Sequence, residues 1–285
     1  MSLHKKFVTL LTLILTLSAL SDFARRVQKT NMEVHKHPDH LTHKKNWREY
    51  FLEFIMLFLA VTLGFFAENI RERVAERGRA SEFARSLVDD LKKDTAALQQ
   101  GIKFYKQGND RIAQFRKLTK NSMVNEIPGG QVYFYGSPSL NFYRITFNDA
   151  TIEQLKSSGS LRYFGKTSIQ KEIAEYDRRM REVLTAESYE PFYLAQRMQF
   201  AEKLFDADVL DIEEANDHNQ KFVDSFIRAP IKLKSYDQQL WSEYVGFCRF
   251  RQERGNFRLR EYIEPALKQA VKLIALLQHE YHFKE

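Results

Sequence analysis

Four histidines, His35, His37, His40 and His43, fall within nine residues near the N-terminus. Neutral imidazoles so clustered can bind zinc, nickel or copper, but only Asp39 stands among them as an oxygen ligand. The spacing fits a solvated tail that gains positive charge at mildly acid pH equally well. Gly165-Lys166-Thr167 has the ending of a phosphate-binding loop, yet the position five residues before Gly165 is Ser160, and Gly159 is one residue too early. Without that glycine the backbone cradle for phosphate is missing, and the string is expected to start a helix. His279-Glu280-Tyr281-His282 is one residue short of the pattern that places two zinc-binding imidazoles on one helix face, and is expected to be an exposed C-terminal end.

An aromatic group, Tyr133, Phe134, Tyr135, Phe142, Tyr143 and Phe147 with Arg144 among them, could line a ligand or partner site. Packing of a long loop onto a core accounts for it as readily. Glu53 and Glu68 bracket the most apolar stretch of the chain. Carboxylates within a membrane are often functional, but near the ends of a span they reach the interface. None of these sets amounts to an active site, so no catalytic residue, cofactor or metal site is expected.

The apolar stretch Tyr50 to Ala67, YFLEFIMLFLAVTLGFFA, carries one charge, Glu53. A bilayer core of about 30 Å calls for roughly 20 apolar residues in a helix. The uninterrupted run from Phe54 to Ala67 is shorter and would also suit a buried core helix, so its flanks matter. Trp47, Tyr50 and Phe51 supply interfacial aromatics, and Lys44, Lys45, Arg48, Arg71 and Arg73 can reach outward at the two ends. Between positions 54 and 67 only Thr62 and Gly64 interrupt the apolar face, which leaves no wet side for a soluble amphipathic helix. A transmembrane helix is therefore expected over 50–70.

Residues 1–31 combine Lys5 and Lys6 with an apolar run from Phe7 to Leu20. That layout fits a signal peptide, a signal anchor, or a chain whose translation starts at Met32. Residues 32–49 form a His/Lys-rich juxtamembrane tail. The whole chain has a formal net charge of +7 and a pI near 9.3. Residues 1–49 hold nine Lys or Arg against four Asp or Glu, so the excess lies largely beside the span, where anionic lipid explains it better than nucleic acid. Membrane lipid and other envelope proteins, or a second copy of the chain, are the expected partners, and nucleic acid is not. The single Cys248 rules out an internal disulfide.

After the span, apolar residues recur at helical spacing through Phe83, Leu87, Leu91, Leu98, Ile102, Tyr105, Ile112, Phe115 and Leu118, with no proline between 70 and 120. This predicts one long helix continuing the span. Residues 121–148 hold Pro128, Gly129, Gly130, Gly136 and Pro138 around VYFY and FYRITF, which predicts an irregular loop or a short hairpin. Capping boxes at Thr151-x-x-Gln154 and Thr167-x-x-Gln170 predict two helix starts, with Gly159 closing the first helix. Pro191 should kink or interrupt the second. A helix over 211–228 and a long last helix over 237–280, weak at Gly255-Asn256 and Pro265, complete the pattern. The expected fold is all-α: a transmembrane helix running into an antiparallel bundle of long helices over 71–285.

The strings NWREYFLEFIMLFLAVTLGFFAENIRER, residues 46–73, and FNDATIEQLKSSGSLRYF, residues 147–164, resemble a family of uncharacterised single-pass membrane proteins of Bacteroidota. The resemblance implies an inner-membrane anchor, an N-terminus near Met32, a helical domain on the periplasmic side and no established activity. The extra hydrophobic N-terminus departs from that pattern and leaves orientation open. The expected role is a non-enzymatic scaffold, sensor or interaction module, with a metal-handling or enzymatic membrane protein using the histidine cluster as the alternative.

Overall fold

The computed structural model describes residues 46–283. Among them there is no strand; helices account for nearly everything, as the 3.6-residue periodicity required. The chain divides into two units after Phe65.

In the first unit the described residues are helical from Trp47. This helix contains the one stretch among the described residues that is long and apolar enough to cross a membrane, and none of that stretch is buried. Phe54, Leu57, Phe58 and Leu63 are each more than half exposed.

In the second unit the same helix, α1 (Trp47–Asn121), forms the spine of a bundle. Its buried positions, Ala84, Leu87, Leu91, Leu98, Tyr105, Ile112 and Phe115, follow the predicted stripe closely. Against them pack α4 (Thr167–Glu187) and a C-terminal rod made of α8 (Gln238–Arg258), a π-helical turn (Leu259–Ile263) and α9 (Glu264–Tyr281). The rod runs antiparallel to both. Lys166 pairs with Glu280 and Glu172 with Lys272 along α4, while Asn109 meets Asn256 and Arg116 meets Gln252 along α1.

The core has three sections. One gathers Leu87, Leu91, Ile152, Ile173, Tyr176 and Leu273; a middle one gathers Leu98, Tyr105, Ile145, Val183, Leu259 and Ile263. The third is aromatic, with Phe115, Tyr133, Phe205, Trp241 and Tyr244 all fully buried. Burying each such ring contributes about 1.5–3 kcal/mol, and their tilted and edge-on contacts at 5.3–6.3 Å add directional preference.

Several local expectations are corrected. The 121–148 segment contains no hairpin. It folds as a 3-10 turn (Val124–Glu126), α2 (Gly129–Gly136) and a second 3-10 turn (Ser137–Leu140), followed by irregular backbone to Asp149. A short apolar run reads alike as a buried strand or a buried helix, and among the described residues no neighbouring strand exists to satisfy an edge. The two capping boxes do not form. Thr151 lies inside α3 (Ala150–Ser157) and donates to Asp90, and the helix at Thr167 is preceded by Lys166 without a side-chain cap. Gly159 does close α3, at φ 66°, where a left-handed residue is needed.

The predicted 211–228 helix is two, α6 (Ala207–Asn216) and α7 (Gln220–Phe226), because the Asn219 side chain accepts from the Lys221 and Phe222 amides and so starts a new helix. Pro191 sits in the first turn of α5 (Glu190–Leu204), which begins after a break at Ser188 and Tyr189. Pro265 has no amide proton for the preceding turn. The rod answers with the π-helical turn Leu259–Ile263 rather than a break.

Candidate functional site

Charged side chains interrupt the apolar stripe of the rod. Along α8 the inward positions run Trp241, Tyr244, Phe247, then Arg251 and Arg258, and both arginines are buried. The α4–α5 junction brings Glu187 and Glu190 against them, and α5 adds Arg197; all five are at least nine-tenths buried.

Glu190 is shared. Its carboxylate receives Arg251 Nη1 at 3.0 and 3.3 Å, lies 3.1 Å from Arg258 Nη2, and lies 3.7 Å from Arg197 Nη1. Further donors go to the backbone and to Tyr105. Arg251 reaches the Asn141 carbonyl, and Arg258 reaches the Ala186 carbonyl and the Tyr105 hydroxyl, both at 2.7 Å. Tyr105 in turn donates to the Tyr143 carbonyl. Phe142 lies 5.4 Å from the Arg258 guanidinium and 5.8 Å from that of Arg197, an arrangement that favours cations.

Glu187 accepts the Ile145 amide at 2.9 Å, and burial raises its carboxyl above the usual range despite that bond and Arg258 nearby. Arg197 has a buried Nε with no partner, and burial together with Arg251 lowers its affinity for the proton. Three guanidiniums thus surround one fully engaged carboxylate.

A cleft beside this cluster lies between α1 and α8, with Arg251, Arg254, Arg258, Glu190 and Asn109 on its walls. A second cleft of about 250 Å³ carries Arg197, Ser137 and Glu213. Glu213 is buried, accepts Ser137 Oγ at 3.1 Å and faces Arg111 at 3.2 Å; burial outweighs that arginine and pushes its carboxyl up to about 7. Between about pH 4.5 and 7 the folded chain therefore holds a proton that the unfolded chain has released. Stability is expected to fall as pH rises through that window, by on the order of 3 kcal/mol from this group, with Asp94 and Glu187 acting in the same direction. Urea midpoints across that pH window check this: Glu213→Gln should flatten the part of the fall that ends near neutrality, and an unchanged slope would count against it.

The residues singled out in the sequence fall elsewhere. His35, His37, His40 and His43 lie outside the described residues, as does the 1–31 segment. Among the described residues no three His, Cys, Asp or Glu side chains converge to hold a metal ion. Lys166 and Thr167 start α4, with Lys166 on Glu280, so Gly165-Lys166-Thr167 is a helix start. His279 and His282 are exposed, while Tyr281 between them packs edge-on against Phe164. The aromatic group is split. Tyr133 and Phe134 belong to the aromatic core, Tyr143 and Phe147 to the middle section, Phe142 to the arginines, and Arg144 is exposed. Cys248 is buried and donates to Ser139, and burial pushes its thiol up to about 12, which leaves it no nucleophilic character at neutral pH.

Composition and motif did not single out the arginine cluster. A signal was present: Arg251 and Arg258 occupy the inward register of α8, where a charge is costly unless paired. No family model, curated protein or solved structure matches this chain.

Proposed function

We propose that the chain is a membrane-anchored, non-enzymatic module that senses or binds partners through its helical bundle. The observation that carries the anchor is the helical run from Phe54 to Ala67, apolar on every side, with none of the spanning-length stretch buried. Exposed apolar surface of that extent marks a membrane or a partner surface, and the basic and aromatic flanks match a bilayer interface. The resemblance to single-pass proteins of Bacteroidota supports an inner-membrane location with the bundle in the periplasm. Lipid contacts the run, and envelope proteins or a second copy contact the bundle.

Alkaline carbonate extraction of membranes carrying the full chain tests the anchor. The chain should stay in the pellet. Leu57→Arg with Leu59→Arg, each costing about 2.5–3.5 kcal/mol at the centre of a span, should release it. Extraction of the unaltered chain would end the membrane reading. Reporter fusions after Lys45 and after Glu285, in chains starting at Met1 and at Met32, then assign the side.

A further inference from the structure

We propose that the cleft between α1 and α8 is a binding site for a small oxyanion of carboxylate size, held by Arg251, Arg254 and Arg258. The three arginines are spaced three and four residues apart on α8, which puts their side chains on one helix face, and all three line the cleft. Asn109 stands opposite, on α1. Its amide donates to Asn256 at 2.8 Å, which holds the two helices together at this level.

The charge is not balanced from within. Glu190 is the cleft's one carboxylate and already serves Arg251, Arg258 and, behind it, Arg197. Arg254 is half-buried and makes no hydrogen bond or ion pair among the described residues. Each guanidinium has five N–H donors in a fixed fork, so Arg251 and Arg258 can keep Glu190 and still present donors to a second anion. Buried positive charge left without a counter-charge is costly, and an anion in the cleft offsets that cost.

Size narrows the ligand. The cleft measures about 420 Å³ with its open mouth, but the centres of water-sized groups have only about 20 Å³ in it, room for one or two such groups. The two oxygens of a carboxylate fit that space, and a nucleotide does not. Gly255 keeps the cleft narrow, since a Cβ there would stand 2.6 Å from Asn109 Oδ1. The π-helical turn follows directly after Arg258, and such turns are frequent at functional sites. The carboxylate could belong to a free small acid or to a peptide terminus; the chemistry recognised is the same. The site lies within the bundle and does not depend on the membrane reading, so either can fail alone.

The test uses the full chain in detergent at constant ionic strength. Thermal unfolding is followed while chloride is replaced by acetate, succinate or inorganic phosphate, and separately with a short peptide bearing a free or an amidated C-terminus. A saturable rise in Tm with acetate or succinate supports the site and assigns a free acid. A rise with the free-acid peptide but not with the small acids or the amidated peptide supports it and assigns a peptide carboxylate. Arg254→Gln should weaken the response at least tenfold while leaving the anion-free Tm unchanged or higher, because Arg254 holds nothing in the fold. The proposal is overturned if no carboxylate shifts the unaltered chain, if phosphate alone does so, or if Arg254→Gln responds as the unaltered chain does.

Discussion

Glu190→Gln should cost about 3–5 kcal/mol of folding stability and lower Tm by on the order of 10 °C. Gln keeps the size of Glu190 and removes the charge that Arg251, Arg258 and Arg197 share. All three guanidiniums are at least nine-tenths buried, so water cannot replace what is lost. Glu187 is not a substitute, because one of its oxygens is committed to the Ile145 amide and burial already disfavours its charged form. Set against typical total stabilities of about 5–15 kcal/mol, the loss is large. Thermal and urea unfolding followed by circular dichroism measure it. Adding Arg251→Met to Glu190→Gln should recover part of the loss, since a buried charge is removed along with its missing partner. A Glu190→Gln chain that melts with the unaltered one would mean that the cluster is wetter than its burial implies.

The second large effect is steric. At Gly129 an added Cβ would lie 1.7 Å from the Ile231 carbonyl oxygen, and at Gly130 it would lie 1.8 Å from that of Phe226. Both obstacles are backbone, so no side chain can turn aside. The Gly130 amide also donates to the Ala229 carbonyl at 3.1 Å, which fastens α2 to the end of α7. Gly129→Ala or Gly130→Ala should therefore cost at least about 3 kcal/mol, beyond the usual range for overpacking. The same substitution at Gly78, where nothing lies within 4 Å, should be neutral or stabilise by up to about 1 kcal/mol. Parallel melts of the three variants check this. Equal melting of Gly130→Ala and Gly78→Ala would refute the close approach. The consequence reaches the site, because the segment anchored at Gly129 and Gly130 leads on to Ser137 and Asn141, which contact Glu213 and Arg251.

Much of the helical architecture can be read from the residues alone. The stripe from Leu87 to Phe115 has one periodicity and no proline, so a long helix with that buried face was the only solution for it. The start at Asp237 was equally legible, because its side chain caps the Gln239 and Leu240 amides locally. Where competing local signals were close in energy, tertiary contacts decided. VYFY alternates like a strand, but Val132 and Tyr133 are buried as a helical turn, and the Tyr133 hydroxyl accepts the Asp206 amide.

The site was the least legible part. Residue types on α8 show that Arg251 and Arg258 face inward, yet they do not say which carboxylate waits there. Glu190 is sixty-one positions from Arg251, and a break between α4 and α5 sets the angle at which it arrives. The sequence by itself determined the apolar run at 54–67, the long helices and their inward faces, because these follow from spacing within a few turns. Only the tertiary structure decided that three arginines would share one glutamate beside a narrow cleft, because burial and the balance of charge belong to segments distant in the chain, and no local periodicity encodes them.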